Sequence, residues 1–345
     1  MKICFKCYQD DYAHLNGCKD MKLKKIDLCR HTMQVGYRNR TLFLKASIYK
    51  HLELLFMVMA NVDYVNGHLK LKDEYFALDQ SEKVCISYQI GQGLTKAVAE
   101  KYFKVPWVAH VKTMKNMNYK FKDSGSRKMI IDPNEKSGKE PDLIGFDKSN
   151  KAHLFESKGS SLNYAKNKST IQRAINQVSN YVSFSDPIGN KQSFESRNAC
   201  LFNFTPYFHG LIIDPSEYSS SDENPIGLLH CLYNYYNLFF RDAMKELEII
   251  EEFGQKWSGY IFSLNDEKYF WGINSLYKDF LQEQFIDYEL NNKDYLTSQN
   301  KENSMIKIKR ILNFFGKQES FSNVNDNDFV SIGEDGYILC NLNKF

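Results

Sequence analysis

The sequence predicts an α/β fold, a mixed β-sheet core flanked by helices. Three observations predict it. Short apolar runs of strand length (Trp107 to Val111, Leu143 to Phe146, Ala199 to Phe204, Phe208 to Ile213) are interleaved with stretches whose apolar residues recur at helical spacing. One stretch, Glu140 to Lys158, reads as two strands and a tight turn that carries charges on an otherwise apolar hairpin. At 345 residues the chain is long enough to bury a large core or two.

Residues 1–86 are expected to form an accessory region. Four of the eight cysteines fall within residues 1–35, Cys4, Cys7, Cys18 and Cys29. Cys4-x2-Cys7 with His14 and Cys18 is a candidate structural zinc set, but the usual second paired half is missing. The expectation is therefore reduced thiols that pack as small hydrophobes. The charged N-terminus has no apolar signal region, which points to the cytoplasm. Leu52, Leu55, Phe56 and Met59 mark a core helix, and Gly67 to Leu78 suggests a hairpin or loop.

Residues 87–215 are expected to form the central domain. Ile90, Leu94, Ala97 and Val98 make one stripe of a helix ending before Pro106. After the strand at Trp107 comes a basic run of Lys112, Lys115, Lys120, Lys122, Arg127 and Lys128, interleaved with Tyr119 and Phe121. Cations neutralise phosphates and aromatic rings stack on bases, so this run is a candidate nucleic-acid contact. With a net charge of only +3, such a surface must be local.

The hairpin comes next. A four-residue loop, 148–151, puts Asp142 opposite Ser157, and a loop one residue shorter puts it opposite Glu156. Either register gathers two carboxylates at one end, and Glu156 and Lys158 share a face. A core does not bury such charges without cause. A hard divalent cation, which takes one or two carboxylates and leaves room for water and phosphate, explains them. Lys158 beside it is equipped to position or deprotonate water, and together these groups suit metal-assisted phosphodiester hydrolysis. Further on, Ser169-x-x-Gln172 suggests a capping box. Ile171, Ile175, Val178 and Val182 form a buried helical stripe, flanked by Gln177 and Tyr181.

Pro141-Asp142 followed by Glu156-Ser157-Lys158 resembles the PD-(D/E)xK motif of the restriction-endonuclease-like nuclease superfamily. Gln177 to Tyr181 resembles the QxxxY motif of its RecB-type branch, and the likeness covers roughly residues 88–213. The resemblance implies a nuclease dependent on Mg²⁺ or Mn²⁺, with DNA the expected substrate, in restriction, antiviral defence or repair. It implies Asp142 and Glu156 as metal ligands, with the Ser157 carbonyl and Glu100 as additional candidates. Lys158 would be the catalytic lysine, and Gln177 and Tyr181 supporting catalytic residues. The alternatives are an inactive nucleic-acid-binding module on the same fold and a zinc-containing scaffold protein.

Residues 216–345 are expected to be mainly helical, with helices over Ile226 to Phe253, Tyr269 to Phe285 and Ser304 to Phe315. A last hairpin turns at Asp335-Gly336. No run is long and apolar enough for a membrane span, and no Walker motif is present.

Overall fold

The computed structural model describes residues 1–37, 48–116, 120–123, 140–161, 168–186, 189–215, 227–240, 247–290, 298–317 and 327–344. The chain is mixed α/β and divides into two compact units, Met1–Pro225 and Ile226–Phe345. Among the described residues, no helix is long and apolar enough to cross a membrane.

In the first unit, β1 (Lys2–Lys6), β2 (Gly17–Asp20), α1 (Lys25–Val35) and α2 (Ile48–Asn61) precede a small hairpin, β3 (Val62–Val65) and β4 (His68–Leu71). Then come α3 (Asp73–Ala77), α4 (Gln80–Phe103), β5 (Trp107–His110), α5 (Val111–Asn116) and β6 (Lys120–Asp123). β7 (Leu143–Phe146), β8 (Ala152–Ser160), α6 (Lys168–Ser179), β9 (Tyr181–Ser185), β10 (Lys191–Asn203) and β11 (His209–Ile213) complete it.

The main path through the sheet is β2-β1-β11-β10-β8-β7-β5. β10 runs parallel to β8 and antiparallel to β11, while β8, β7 and β5 alternate in direction. Beyond an irregularity between Phe194 and Ser196, the start of β10 turns to pair with β9, which pairs in turn with β6. β7 and most of β8 are buried without alternation, as expected of strands covered on both faces.

The expected accessory region does not stand apart from the sheet. β1 pairs in parallel with β11, Ile3 opposite Gly210, and buries Ile3 and Phe5 in the core. Helix α4 is also longer than its apolar stripe suggested. It opens at Gln80, where the Asp79 amide donates to Glu82 (3.0 Å) and completes a capping box.

Two helices sandwich β8. Successive strand residues face opposite sides, and Glu156 and Lys158 pair with Ala199 and Leu201. Those two pack with Ala174 and Val178 of α6. The opposite face, with Ser157 and Gly159, meets α4. A Cβ on Gly159 would lie 2.1 Å from the Ser87 carbonyl, and one on Gly91 would lie 3.0 Å from the Gly159 nitrogen. Helix and strand approach this closely only because both positions lack a side chain.

The second unit departs from the helical expectation. Helix α7 (Gly227–Tyr236) covers only the first part of the predicted helix over Ile226 to Phe253, whose end is strand β12 (Glu248–Glu252). The segment from Tyr269 is strand first and helix second. β13 (Gln255–Leu264) and β14 (Glu267–Asn274) precede α8 (Ser275–Leu290) and α9 (Ser298–Gly316). The run Tyr269-Phe270-Trp271 belongs to an antiparallel sheet, where aromatic residues favour the pleated surface. The Phe270 ring lies over the opposed pair Gly259 and Gly272. The final hairpin is as expected, β15 (Val330–Ile332) and β16 (Tyr337–Asn341), with Gly336 at φ +78° in its turn. Trp257, Phe270, Val330, Ile332, Ile338 and Cys340 form a core cluster.

Cys4 and Cys18 face each other across β1 and β2 and are joined by a disulfide. This corrects the expectation of eight free thiols. It also removes two members of the candidate zinc set, because disulfide sulfurs offer no thiolate. His14 has its Nδ1 2.7 Å from the Asp11 carbonyl, and Cys7 is exposed.

Two predictions follow from the packing. Gly159→Ala should destabilise the first unit by about 1–3 kcal/mol, the usual cost of overpacking, because the obstacle is backbone. Urea unfolding followed by circular dichroism checks it, and an unchanged midpoint would refute the close contact. Thiol titration of the unfolded, unreduced protein should count the six cysteines outside the disulfide, with eight after reduction.

Candidate active site

The β7–β8 register decides the site. Leu143 pairs with Phe155 and Phe146 with Ala152, so the same ladder carried one residue outward sets Asp142 opposite Glu156. This is the shorter-loop alternative. Asp147 selects it by accepting from the Ser149 and Lys151 amides (both 2.8 Å), with Asn150 in the left-handed region at φ +64°.

Each carboxylate is held by the other residue's strand. The Asp142 amide donates to Glu156 Oε2 (3.1 Å), and the Ser157 amide donates to Asp142 Oδ2 (3.1 Å). The Asp142 carbonyl accepts from the Val111 amide (3.0 Å), which ties α5 to the site. Lys158 Nζ forms an ion pair with Glu156 Oε1. Within a strand a residue's N–H and C=O point to the same side, so the Ser157 carbonyl is directed toward the side of Asp142.

The electrostatics are unusual. The Glu156 side chain is fully buried, whereas that of Lys158 is 30% exposed. Burial, reinforced by the Asp142 charge, pushes the Glu156 carboxyl up to about 8 against the opposing pull of Lys158. Two carboxylates and one ammonium leave this cluster a negative charge when all are ionised.

Gln177 reaches the site indirectly, donating from Nε2 to the Glu140 carbonyl (3.3 Å), two residues before Asp142. Tyr181 is not on its helix. Helix α6 stops at Ser179, and Tyr181 opens β9, where its ring packs edge-on against Phe121 (6.4 Å). The run Tyr-Val-Ser-Phe prefers a strand, and β6 and β10 supply its partners. The capping box is likewise absent: Ser169 lies inside α6, and Gln172 bonds Asn176.

Glu100 is placed elsewhere. It pairs with Lys96 (2.5 Å) and Arg30 (3.3 Å), with His31 at 3.9 Å, between α4 and α1. Burial pushes its carboxyl up, but the Lys96 and Arg30 charges overcome this and hold it well below the usual range. It lies twelve residues beyond Tyr88, about 18 Å along the helix at 1.5 Å per residue. Tyr88 is the α4 residue that approaches Asp142, its hydroxyl 3.5 Å from Oδ1.

The basic run divides. Lys112 is exposed on α5, and Lys115 on the same helix forms an ion pair with Glu140. Lys120 is exposed on β6 opposite Ser185. Arg127 and Lys128, Tyr119 and the side chain of Lys122 lie outside the described residues. Phe121 does not present its ring for base stacking. It is stacked with Phe184 and Phe194 at 5.8 and 6.4 Å. Sequence reasoning missed Tyr88 and the Lys115–Glu140 pair. A pair separated by 25 residues has no sequence signal, and Tyr88 stands out only once its helix is docked.

Among the described residues, no group of three or more His, Cys, Asp or Glu side chains is arranged to hold a metal. Asp142 and Glu156 make a pair whose Oδ1 and Oε1 are left unbonded by the strand amides. Such a pair suits Mg²⁺ or Mn²⁺, which take one or two protein carboxylates and fill the rest with water and phosphate. No described protein family, no curated protein and no solved structure matches this chain.

The raised Glu156 value sets a pH dependence. The folded protein holds this proton more tightly than the unfolded chain, so its stabilising contribution is complete below the ordinary carboxylate range. It is lost as pH rises toward about 8. In EDTA, wild type should therefore lose stability relative to Glu156→Gln between pH 5 and 8. Urea midpoints across that range check it, and the opposite trend would mean that Lys158 outweighs burial.

Proposed function

We propose that this chain is a divalent-metal-dependent nuclease, with DNA as its substrate, on a restriction-endonuclease-like core. The observation that carries the reading is the reciprocal clasp of Asp142 and Glu156 with Lys158 ion-paired to the same carboxylate. A structural hairpin gains nothing from a buried Glu beside an Asp, and burying such charge is costly.

Asp142 and Glu156 would hold Mg²⁺ or Mn²⁺, joined by the Ser157 carbonyl. When bound, the cation supplies Lewis-acid stabilisation of the phosphate and acidifies water. The protein's own groups do the remainder. Backbone amides fix one oxygen of each carboxylate, and the cation would take the other in place of the Tyr88 hydroxyl and the Lys158 ammonium. Lys158 exchanges its contact with Glu156 for one with water or phosphate, where it orients the nucleophile as the ammonium or, as the neutral amine, takes its proton. Gln177 steadies the backbone leading into Asp142. Lys112 and Lys115 neutralise phosphates beside the reacting one. Restriction, antiviral defence and repair all use such a reaction.

Lys158→Ala should retain metal binding and lose about 10²-fold or more in cleavage rate, the usual contribution of a positioned proton-transfer group. Asp142→Ala should weaken metal binding, so that its activity recovers in part at high Mg²⁺. The test is cleavage of plasmid, linear and single-stranded substrates against Mg²⁺ concentration, with circular dichroism as the folding control. A folded Lys158→Ala protein that cuts at the wild-type rate removes Lys158 from the mechanism. If wild type binds nucleic acid but cuts neither DNA nor RNA with any metal, it is a binding module.

A further inference from the structure

Glu140 and Lys115 form a cation–carboxylate pair at the mouth of the candidate site. Two backbone or side-chain contacts fix its position. The Val111 amide bonds the Asp142 carbonyl (3.0 Å), so α5 begins at the site, and Lys115 lies about one turn along it. Gln177 donates to the Glu140 carbonyl (3.3 Å), which holds the same segment from the α6 side. Asp142 stands two residues beyond Glu140, at most ~7 Å along an extended chain. Lys115 is therefore held through Glu140 beside the backbone that leads into Asp142. Both side chains are partly exposed, at 30% and 26%, so water can replace either partner and the pair opens at little cost.

We propose that Glu140 is a built-in competitor of the nucleic-acid backbone. In the free protein its carboxylate occupies Lys115, and a phosphodiester displaces it on binding. The chemical class recognised is a phosphate within a polynucleotide strand, adjacent to the one at the metal. This deepens the nuclease reading and rests on it.

The experiment measures binding rather than cleavage. Fluorescein-labelled DNA and RNA oligonucleotides, single- and double-stranded, are titrated with wild type, Lys115→Ala, Glu140→Gln and the double variant. Ca²⁺ replaces Mg²⁺ to limit hydrolysis, and several salt concentrations are used. Lys115→Ala should weaken binding severalfold and reduce the salt slope by about 1, as for one lost phosphate contact. Glu140→Gln should tighten binding severalfold, and the double variant should match Lys115→Ala, because the competitor has no effect once its lysine is gone. The pair is surface-exposed, so all variants should fold, with circular dichroism as control. Wild-type binding with Glu140→Gln unchanged or weaker overturns the competitor while leaving the nuclease reading intact. A double variant that binds more tightly than Lys115→Ala also overturns it, since Glu140 would then act without Lys115. Absence of binding by every protein to every probe overturns both.

Discussion

The pairing of β7 with β8 is the constraint on which the first unit's candidate site depends. Side chains alternate across a strand, so a slip of one residue would turn Asp142 to face Ser157 and break the reciprocal amide bonds. The register is held at both ends. At the turn, Asp147 accepts from two amides; at the open end, Glu156 accepts from the Asp142 amide and Asp142 from the Ser157 amide. The sheet interior between them is fully buried, which penalises any other alignment.

That same burial sets local stability against chemistry. Glu156 sits between a helix and a sheet with Asp142 opposite, an environment that favours its neutral form. Lys158 offsets part of the cost, and a divalent cation would offset more. A cation bound there would link the stability of this unit to metal concentration. The glycine contact between α4 and β8 serves the arrangement from behind. It brings the helix close enough that the strand carrying Glu156 and Lys158 has a rigid backing.

The grouping of the candidate site residues was more legible in the sequence than the architecture around them. Charges on an apolar hairpin announced Asp142, Glu156 and Lys158 without any knowledge of the sheet. Sequence alone left two registers open, because the choice rests on the Asp147 side chain and the left-handed Asn150, neither of which is visible in apolar periodicity. Tyr181 was misplaced because the apolar spacing of the helical stripe continued to Val182, past the helix end at Ser179 and into a strand with no Gly or Pro between them. The second unit misled for a related reason. Aromatic runs such as Tyr269-Phe270-Trp271 carry weak periodicity, and length alone favoured helix. The place of β1 in the sheet was beyond reach, since its partner lies two hundred residues on.

That long-range partnership affects how the protein is made. Ile3 and Phe5 belong to the core, yet the strand that covers their flank, β11, ends at Ile213. On the ribosome the first strand can pair early with β2, but its other edge must stay open until most of the first unit has been synthesised. The sheet closes late, through a contact of very high sequence separation, and such closures are slow. The waiting strand is a site for mispairing and for chaperone capture.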